Sequence, residues 1–450
     1  MKRTILARRT AALVGVSALA LAGCGDSGSD DASAPAASDA PSASSSAAPS
    51  STATAGVEEC EPETPPEATG DGVLTIGSLL PQTGNLAFLG PPEFAGVQLA
   101  VQEINENGGY NGQDVAYSEG DSGDTNTDIA STTVQRLLGQ DVDAIVGAAS
   151  SGVSFTVIDA ITGAGVVQIS PANTAPDFTC AEDSGLYFRT APSDVLQGRV
   201  MGDLVVGDGY LDIGVMAIDD PYGTGLAANV QETIEAGGGS IAGGEPIIYN
   251  PQAPNYSAEV AQLAETDPEA IVLIGFDESL RVIPELISQG IGPSEVPLYL
   301  VDGNLANYSD DGLEPGALLG TKGTLPGAAS TGDFRDRLLE VDPSLQDFSY
   351  APESYDAVIM TALAAVAAGD DSGASIASQL PAVSREGTEC STYAECLELL
   401  QAGEDIDYQG VSGPVEFSDL GDPTEATIGI YSYVEDNSYE NDSYVEGSVG

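Results

Sequence analysis

An α/β fold of two doubly wound parallel-sheet lobes is what the sequence predicts. Short β-branched apolar runs alternate with stretches of helical period, which is the pattern of parallel strands with right-handed crossovers. The rhythm runs through once, breaks near Arg189, and starts again, so it describes two such lobes. At 450 residues the chain has ample length for both.

The elements follow in order. Val73–Leu80 is short, apolar and β-branched, a buried strand. Pro91-Pro92 opens a helix carrying Phe94, Val97, Leu99, Ala100, Val101 and Ile104, and Gly108-Gly109 stops it. Val115–Ser118 and Ala144–Gly147 read as strands. Between them, Asp124-x-Asn126-x-Asp128 precedes a helix with Ile129, Val134, Leu137 and Leu138. Val153–Ile161 reads as a helix and Val166–Ile169 as a strand. After Arg189 come helix 195–206, strand 213–218, helix 225–236 and strand 247–249. Helix 258–265, strand 270–274, helix 280–288 and strand 298–301 complete the second round. Ligands of such sheets bind beyond the carboxyl ends of the strands, where strand order reverses.

Composition excludes several functions. Asp and Glu number 70 against 12 Lys and Arg, for a formal charge of −58. Such a chain repels nucleic-acid phosphates and anionic membrane surfaces, so no nucleic acid is expected as a partner. There is no His and no Trp. A Ser-His-Asp triad and a His-ligated zinc are therefore out of reach. The acidic excess is spread evenly along the body and reads as a solvated surface suited to high salt or high pH. Asp124-x-Asn126-x-Asp128 is similar to a calcium loop but has Ile129 where Gly is needed and Gln135 where Glu is needed, so capping of the next helix is the expectation. No metal or cofactor is expected.

The first segment is an address. Lys2, Arg3, Arg8 and Arg9 precede an apolar run over residues 11–21, too short to span a bilayer, and Leu21-Ala22-Gly23-Cys24 ends it. That ending resembles the lipobox of bacterial lipoproteins, which implies cleavage after residue 23 and a lipid on the Cys24 thiol. The protein is then extracytoplasmic, anchored to the cell membrane through Cys24. Residues 24–70 are rich in Ser, Ala and Pro. The part up to Val57 lacks aromatics, Leu and Ile, and cannot bury enough apolar area to offset its chain entropy, so it reads as a flexible tether.

Four further cysteines remain: Cys60, Cys180, Cys390 and Cys396. An even number in an exported chain suggests two disulfides, and three pairings are open. Cys390 with Cys396 is the simplest local pair, leaving Cys60 with Cys180. A four-thiolate zinc site would need Cys-x-x-Cys spacing, which is absent.

A series of motifs runs through the body: Pro81-Gln-Thr-Gly84, Ile104-Asn105-x-x-Gly108-Gly109, Ile145-Val146-Gly147 with Ser150-Ser151, and Ile169-Ser170-Pro171-Ala-Asn-Thr174. Arg189-Thr190 with Gln197-Gly198, Asp220-Pro-Tyr222-Gly223 and Gly413-Pro414 follow. In this order they resemble the leucine/isoleucine/valine-binding protein family, substrate-binding lipoproteins of ABC importers with the type I periplasmic-binding fold. The resemblance implies two lobes, 73–190 with 326–414 and 191–325 with 415–434, joined by a three-segment hinge. Residues 435–450 are left as an acidic C-terminal tail. It also implies a monomeric receptor, no enzyme, that closes on an amino acid and is read by ABC permease subunits.

The resemblance further assigns residues. Ser151, Asn173 and Thr174 fall in the loops that receive a ligand carboxylate. Asp302 follows a strand where the family places a carboxylate for the ammonium. Tyr222 closes over the ligand, Phe276 stands where branched-chain binders carry Tyr, and Leu89 stands where Trp is common. Each residue also has a plain structural reading: Ser151 and Thr174 as helix caps, Asp302 as a turn former, Tyr222 and Phe276 as core aromatics. The ligand expected is an apolar or branched-chain amino acid, with short amides or urea, or a sensing role, as alternatives.

Replacing Cys24 with Ser removes the thiol that the lipid needs. The variant is expected in the soluble fraction after membranes are sedimented; a variant that still pellets with them contradicts the anchor.

Overall fold

The structure is a computed structural model and describes residues 60–309, 312–327, 330 and 332–448. The export signal, Cys24 and most of the tether lie outside the described residues.

The first lobe opens with β1 (Thr75–Leu79), α1 (Gly90–Glu106), β2 (Ala116–Ser118), α2 (Ile129–Leu138), β3 (Ala144–Gly147), α3 (Ser151–Thr162), β4 (Val167–Ser170) and β5 (Tyr187–Arg189). Its strands are parallel, in the order β2-β1-β3-β4-β5. β3 is buried throughout, which is why it carries apolar residues without alternation; β4 is buried as well but alternates Val167 and Ile169 with Gln168 and Ser170, which donate to the Gly147 and Ala148 carbonyls. Strand order reverses between β1 and β3, so the loops leaving those strands frame a crevice. Pro91-Pro92 fills the first turn of α1, and Gly108, at φ +103°, ends it where a side chain would be strained. Ser150 caps α3 by accepting from the Val153 amide at 3.3 Å.

The second lobe follows as α4 (Asp194–Gly207), β6 (Asp212–Ile218), α5 (Pro221–Ala236), β7 (Ser240–Ile241), β8 (Ile247–Tyr249), α6 (Ser257–Ala264), β9 (Ala270–Ile274), α7 (Ser279–Ser288), β10 (Leu298–Leu300) and β11 (Lys322–Pro326). The chain then returns to the first lobe as α8 (Gly332–Val341), α9 (Ala351–Ala368), α10 (Gly373–Gln379), β12 (Thr388–Cys390), α11 (Tyr393–Ala402) and β13 (Ile406–Tyr408). It ends in the second sheet as β14 (Glu425–Tyr433) and β15 (Tyr439–Ser448). That sheet runs β15-β14-β11-β10-β9-β6-β7, with β8 also on β6, and is parallel apart from the final hairpin. α9 is largely apolar because it is enclosed; every residue from Ala351 to Ala365 is buried, the acids Glu353 and Asp356 included. Among the described residues no single helix is long and apolar enough to cross a membrane.

Three expectations are corrected. The residues read as an acidic tail form β15, a full antiparallel partner of β14. Their carboxylates Glu440, Asp442 and Glu446 are exposed, as an edge strand tolerates, while Asn437, at φ +63°, makes the turn and anchors it by accepting from the Leu318 amide. The last crossing also lies later than residue 415: Val415 and Phe417 are in the core of the first lobe, with Phe417 edge-on to Phe188. Finally, no side chain caps α2; Asp124 instead closes a local turn on the Asn126 amide at 2.9 Å.

Two disulfides fasten loops to the first lobe. Cys60 joins Cys180 at the end of the turn Pro176–Cys180, and Cys390 joins Cys396 between β12 and α11. The first and last crossings are clamped together. Arg189, wholly buried, donates Nε to Asp422 Oδ1 at 2.5 Å and Nη1 to the Ala175 carbonyl at 2.8 Å, while its amide reaches the Gly421 carbonyl. Thr179 holds the other Asp422 oxygen at 2.6 Å.

Arg189→Met would leave the Asp422 carboxylate buried without its counter-charge. Stability is expected to drop by about 3–5 kcal/mol, read as a shift in urea midpoint at unchanged slope.

Candidate functional site

Loops from the carboxyl ends of both sheets meet in one place. From the first lobe come Leu86 and Leu89 before α1, Ser150-Ser151 at the start of α3, and Asn173-Thr174 after β4. From the second come Asp220 to Tyr222 after β6, Phe276 after β9 and Asp302 after β10. The lobes are shut over this crevice. The Gly152 amide donates to the Asp220 carboxylate, and the Asp277 amide reaches the Asn85 carbonyl at 3.3 Å. A methyl group added at Gly152 would lie 2.2 Å from Asp220, so only glycine allows that approach. Leu86 and Leu89 pack in one apolar cluster with Tyr222, Phe276 and Tyr350.

Asp302 is the hub. It is only 5% exposed. Its Oδ1 accepts from Tyr222 Oη at 2.7 Å and from Gln197 Nε2 at 2.9 Å; its Oδ2 accepts from Tyr350 Oη at 2.8 Å. Tyr222 lies flat against Phe276, ring centroids 5.4 Å apart, and also receives the Gly303 amide. A second buried carboxyl stands nearby. Asp194, the first residue of α4, accepts from Thr174 Oγ1 at 3.0 Å, and its amide donates to the Thr174 carbonyl at 2.7 Å. Asp194 Oδ1 and Gln197 Oε1 are buried and have no hydrogen-bond partner among the described residues. Burial pushes the Asp194 carboxyl far above the usual carboxylate range, and repulsion by Asp302 adds to it. Asp302 is also raised by burial, against the pull of Tyr222, Tyr350 and Gln197. Two buried carboxyls with spare acceptor capacity and no basic group bonded to either are suited to a positively charged donor with several N–H groups.

The opposite pole is less open than the sequence suggests. Ser151 Oγ accepts weakly from the Ala175 amide at 3.4 Å, at the positive end of α3. Thr174 spends its hydroxyl proton on Asp194. Asn173 turns away into the first lobe: its Nδ2 donates to the Ala149 carbonyl at 2.8 Å, and its Oδ1 accepts from Tyr187. Thr174, Tyr222, Phe276, Leu89 and Asp302 are thus gathered around the crevice, while the Asn173 side chain is engaged elsewhere. Sequence reasoning missed three members. Asp194 follows Ser193 before an apolar run and passes for a helix-start residue; Gln197 was visible only as part of a crossover motif; Tyr350 has no signal, since it arrives through the chain's late return. Among the described residues no group of three or more Cys, Asp or Glu side chains is placed to hold a metal ion.

A sequence profile of the family described as periplasmic binding protein matches residues 73–419. The chain belongs to the periplasmic binding protein family. Its members are extracytoplasmic solute-binding proteins, not enzymes. Among relatives, the chain is 28% identical over 363 residues to the chemotactic signal transduction system substrate-binding protein BasB of Halobacterium salinarum, covering 78% of this chain and 84% of that one. It is 28% identical over 313 residues to Leu/Ile/Val-binding protein homolog 1 of Brucella abortus, covering 66% of this chain and 79% of the other. In structure it is similar to the branched-chain amino acid transporter substrate-binding protein LivJ of Streptococcus pneumoniae, solved in complex with isoleucine. The TM-score is 0.68 at 22% identity, over 83% of this chain and 100% of that one. The fold is the type I periplasmic-binding fold.

Asp194 is expected to destabilise the closed, unliganded protein when ionised. A carboxyl whose value is raised on folding favours the fold while protonated, and that contribution is lost as pH climbs from about 4 through the raised value. Asp194→Asn should therefore melt at the same temperature as the parent in acid and progressively higher than it toward neutrality. Parallel melting curves at all pH values would refute the assignment.

Proposed function

We propose that the protein captures a free amino acid, apolar or branched-chain, between its lobes and presents the closed form to the permease of an ABC importer while tethered through Cys24. The observation that carries this reading is the pair of buried carboxyls, Asp194 and Asp302, with an unmatched oxygen on Asp194. An α-ammonium group supplies both the charge and the N–H donors they lack. The positive end of α3 with Ser151 and the Thr174 loop supplies the opposite pole for an α-carboxylate. Leu86, Leu89 and Phe276 form an apolar wall for the side chain; Phe276 offers no hydroxyl there, which favours an aliphatic group over a polar one. Short amides and urea lack the cation that this site is built to neutralise. No group in the site is arranged to attack a bound ligand, so capture and release are the whole of its chemistry.

A second reading, supported by the name of the BasB relative, keeps the same ligand and the same closure but delivers the closed form to a signalling receptor. Uptake of labelled leucine by cells lacking the gene separates the two: transport falls in the first case only.

The direct test is calorimetry with leucine, isoleucine, valine, acetamide and urea. Asp302→Ala is expected to weaken amino-acid binding by about 2–5 kcal/mol, roughly 30- to 5,000-fold. An unchanged affinity would remove Asp302 from the site.

A further inference from the structure

A cavity of about 400 Å³ lies between the final hairpin and the segment that enters α9, and of the crevice residues named above only Tyr350 lines it. Both lobes wall it. Tyr431 of β14 with Tyr439 and Tyr444 of β15 line the side of the second lobe; Phe348, Tyr350 and Glu353 of the return segment line the other. We propose that this cavity is a second binding site, for a small organic cation such as an amine or quaternary ammonium.

Three observations carry the assignment. Five aromatic residues line it, Phe348, Tyr350, Tyr431, Tyr439 and Tyr444, and aromatic rings attract cations through their quadrupole. Among the described residues the charged groups at the cavity are three carboxyls, Asp347, Glu353 and Glu440, against a single guanidinium, Arg335. That guanidinium already lies over the Phe348 ring, 4.2 Å from its centroid, so the cavity holds a cation on an aromatic face within its own structure. Asp347 is committed, accepting from Tyr439 Oη at 3.0 Å and from the Ser349 amide. Glu353 is not. Its residue is 2% exposed, its carboxyl lies against Gly327, and the bond it has is to its own backbone amide. Burial, with repulsion by Asp356, pushes the Glu353 carboxyl well up; a cation beside it would supply the missing counter-charge.

The site is joined to the crevice through one residue. Tyr350 gives its ring to the cavity and its hydroxyl to Asp302. An occupant touching both lobes is therefore coupled to closure, and by linkage the coupling is reciprocal.

The test is calorimetric titration of the protein with benzyltrimethylammonium, with benzyl alcohol as its uncharged counterpart. Saturable binding at one site is expected for the cation and not for the alcohol. Glu353→Gln should weaken it by about tenfold or more, and an excess of leucine, which would occupy the crevice, should not displace the cation. Tyr444→Ala, at the exposed rim, serves if the Glu353 variant does not fold, and should weaken binding several-fold. Absence of saturable heat, equal affinity for the alcohol, or full affinity in the Glu353 or Tyr444 variant overturns the proposal. Competitive displacement of the cation by leucine would place the cation in the crevice and overturn it as well, whereas failure of leucine to bind would count against the amino-acid reading alone.

Discussion

The closed arrangement depends on how a buried negative charge is compensated. Asp302 sits between the lobes in a chain with few cations, and among the described residues no Lys or Arg bonds to it. Hydroxyl and amide donors do so instead, and they come from three separate parts of the chain: Tyr222 from the start of α5, Gln197 from α4 at the first crossing, and Tyr350 from the segment that precedes α9. Each bond to a charged acceptor contributes about 1.5–3 kcal/mol, so together they hold a carboxylate where apolar surroundings would expel it. They do not fully offset burial, because Asp302 and Asp194 both remain above the usual carboxylate range. A site under-compensated by one positive charge is one that a cationic ligand completes. On the proposed reading the ligand favours closure for a specific reason: both carboxyls stand on the second lobe, and the Ser151 and Thr174 loops that would hold its other end stand on the first.

The same logic explains which features are legible in the sequence. Strands buried on both faces are mostly apolar, so β3 and β9 stand out from the sequence, and strand order then places the loops of the crevice. Asp302 is legible because it follows a strand directly. Asp194 is not, because a residue at a helix start has a sufficient local explanation in Ser193-Asp194, and its second role appears only when Thr174 and Asp302 are brought beside it. Tyr350 is further still from any local rule: it sits in a left-handed backbone conformation, φ +58°, more than forty residues from Asp302 in sequence. Asn173 illustrates the reverse error. Its place in the carboxylate loop suggests a ligand contact, yet Tyr187 and the Ala149 carbonyl satisfy it inside the lobe. The β15 hairpin was hidden by its charge, since an acidic run reads as solvated whether it is a tail or the outer face of an edge strand.

The hinge shows how movement and rigidity are divided. Arg189, Asp422, Thr179, Ala175 and Gly421 bond to one another on the first-lobe side of the two crossings they terminate. That cluster travels with the first lobe as a unit, and the Thr190 hydroxyl extends it to the Glu353 carbonyl at the start of α9. Torsional freedom in these two crossings is therefore confined to the residues just beyond the clamp. In both cases a proline comes at once or nearly so: Ala191-Pro192 before α4, and Pro423 before β14. Proline fixes φ near −65° and restricts the residue before it. Only a few torsions per crossing are left to absorb opening, and two such short crossings clamped side by side define an axis instead of a loose joint. On the proposed reading, a receptor that opens and closes needs that restriction to return its site to the same geometry, because Asp302 is compensated where Tyr222, Gln197 and Tyr350 converge on it.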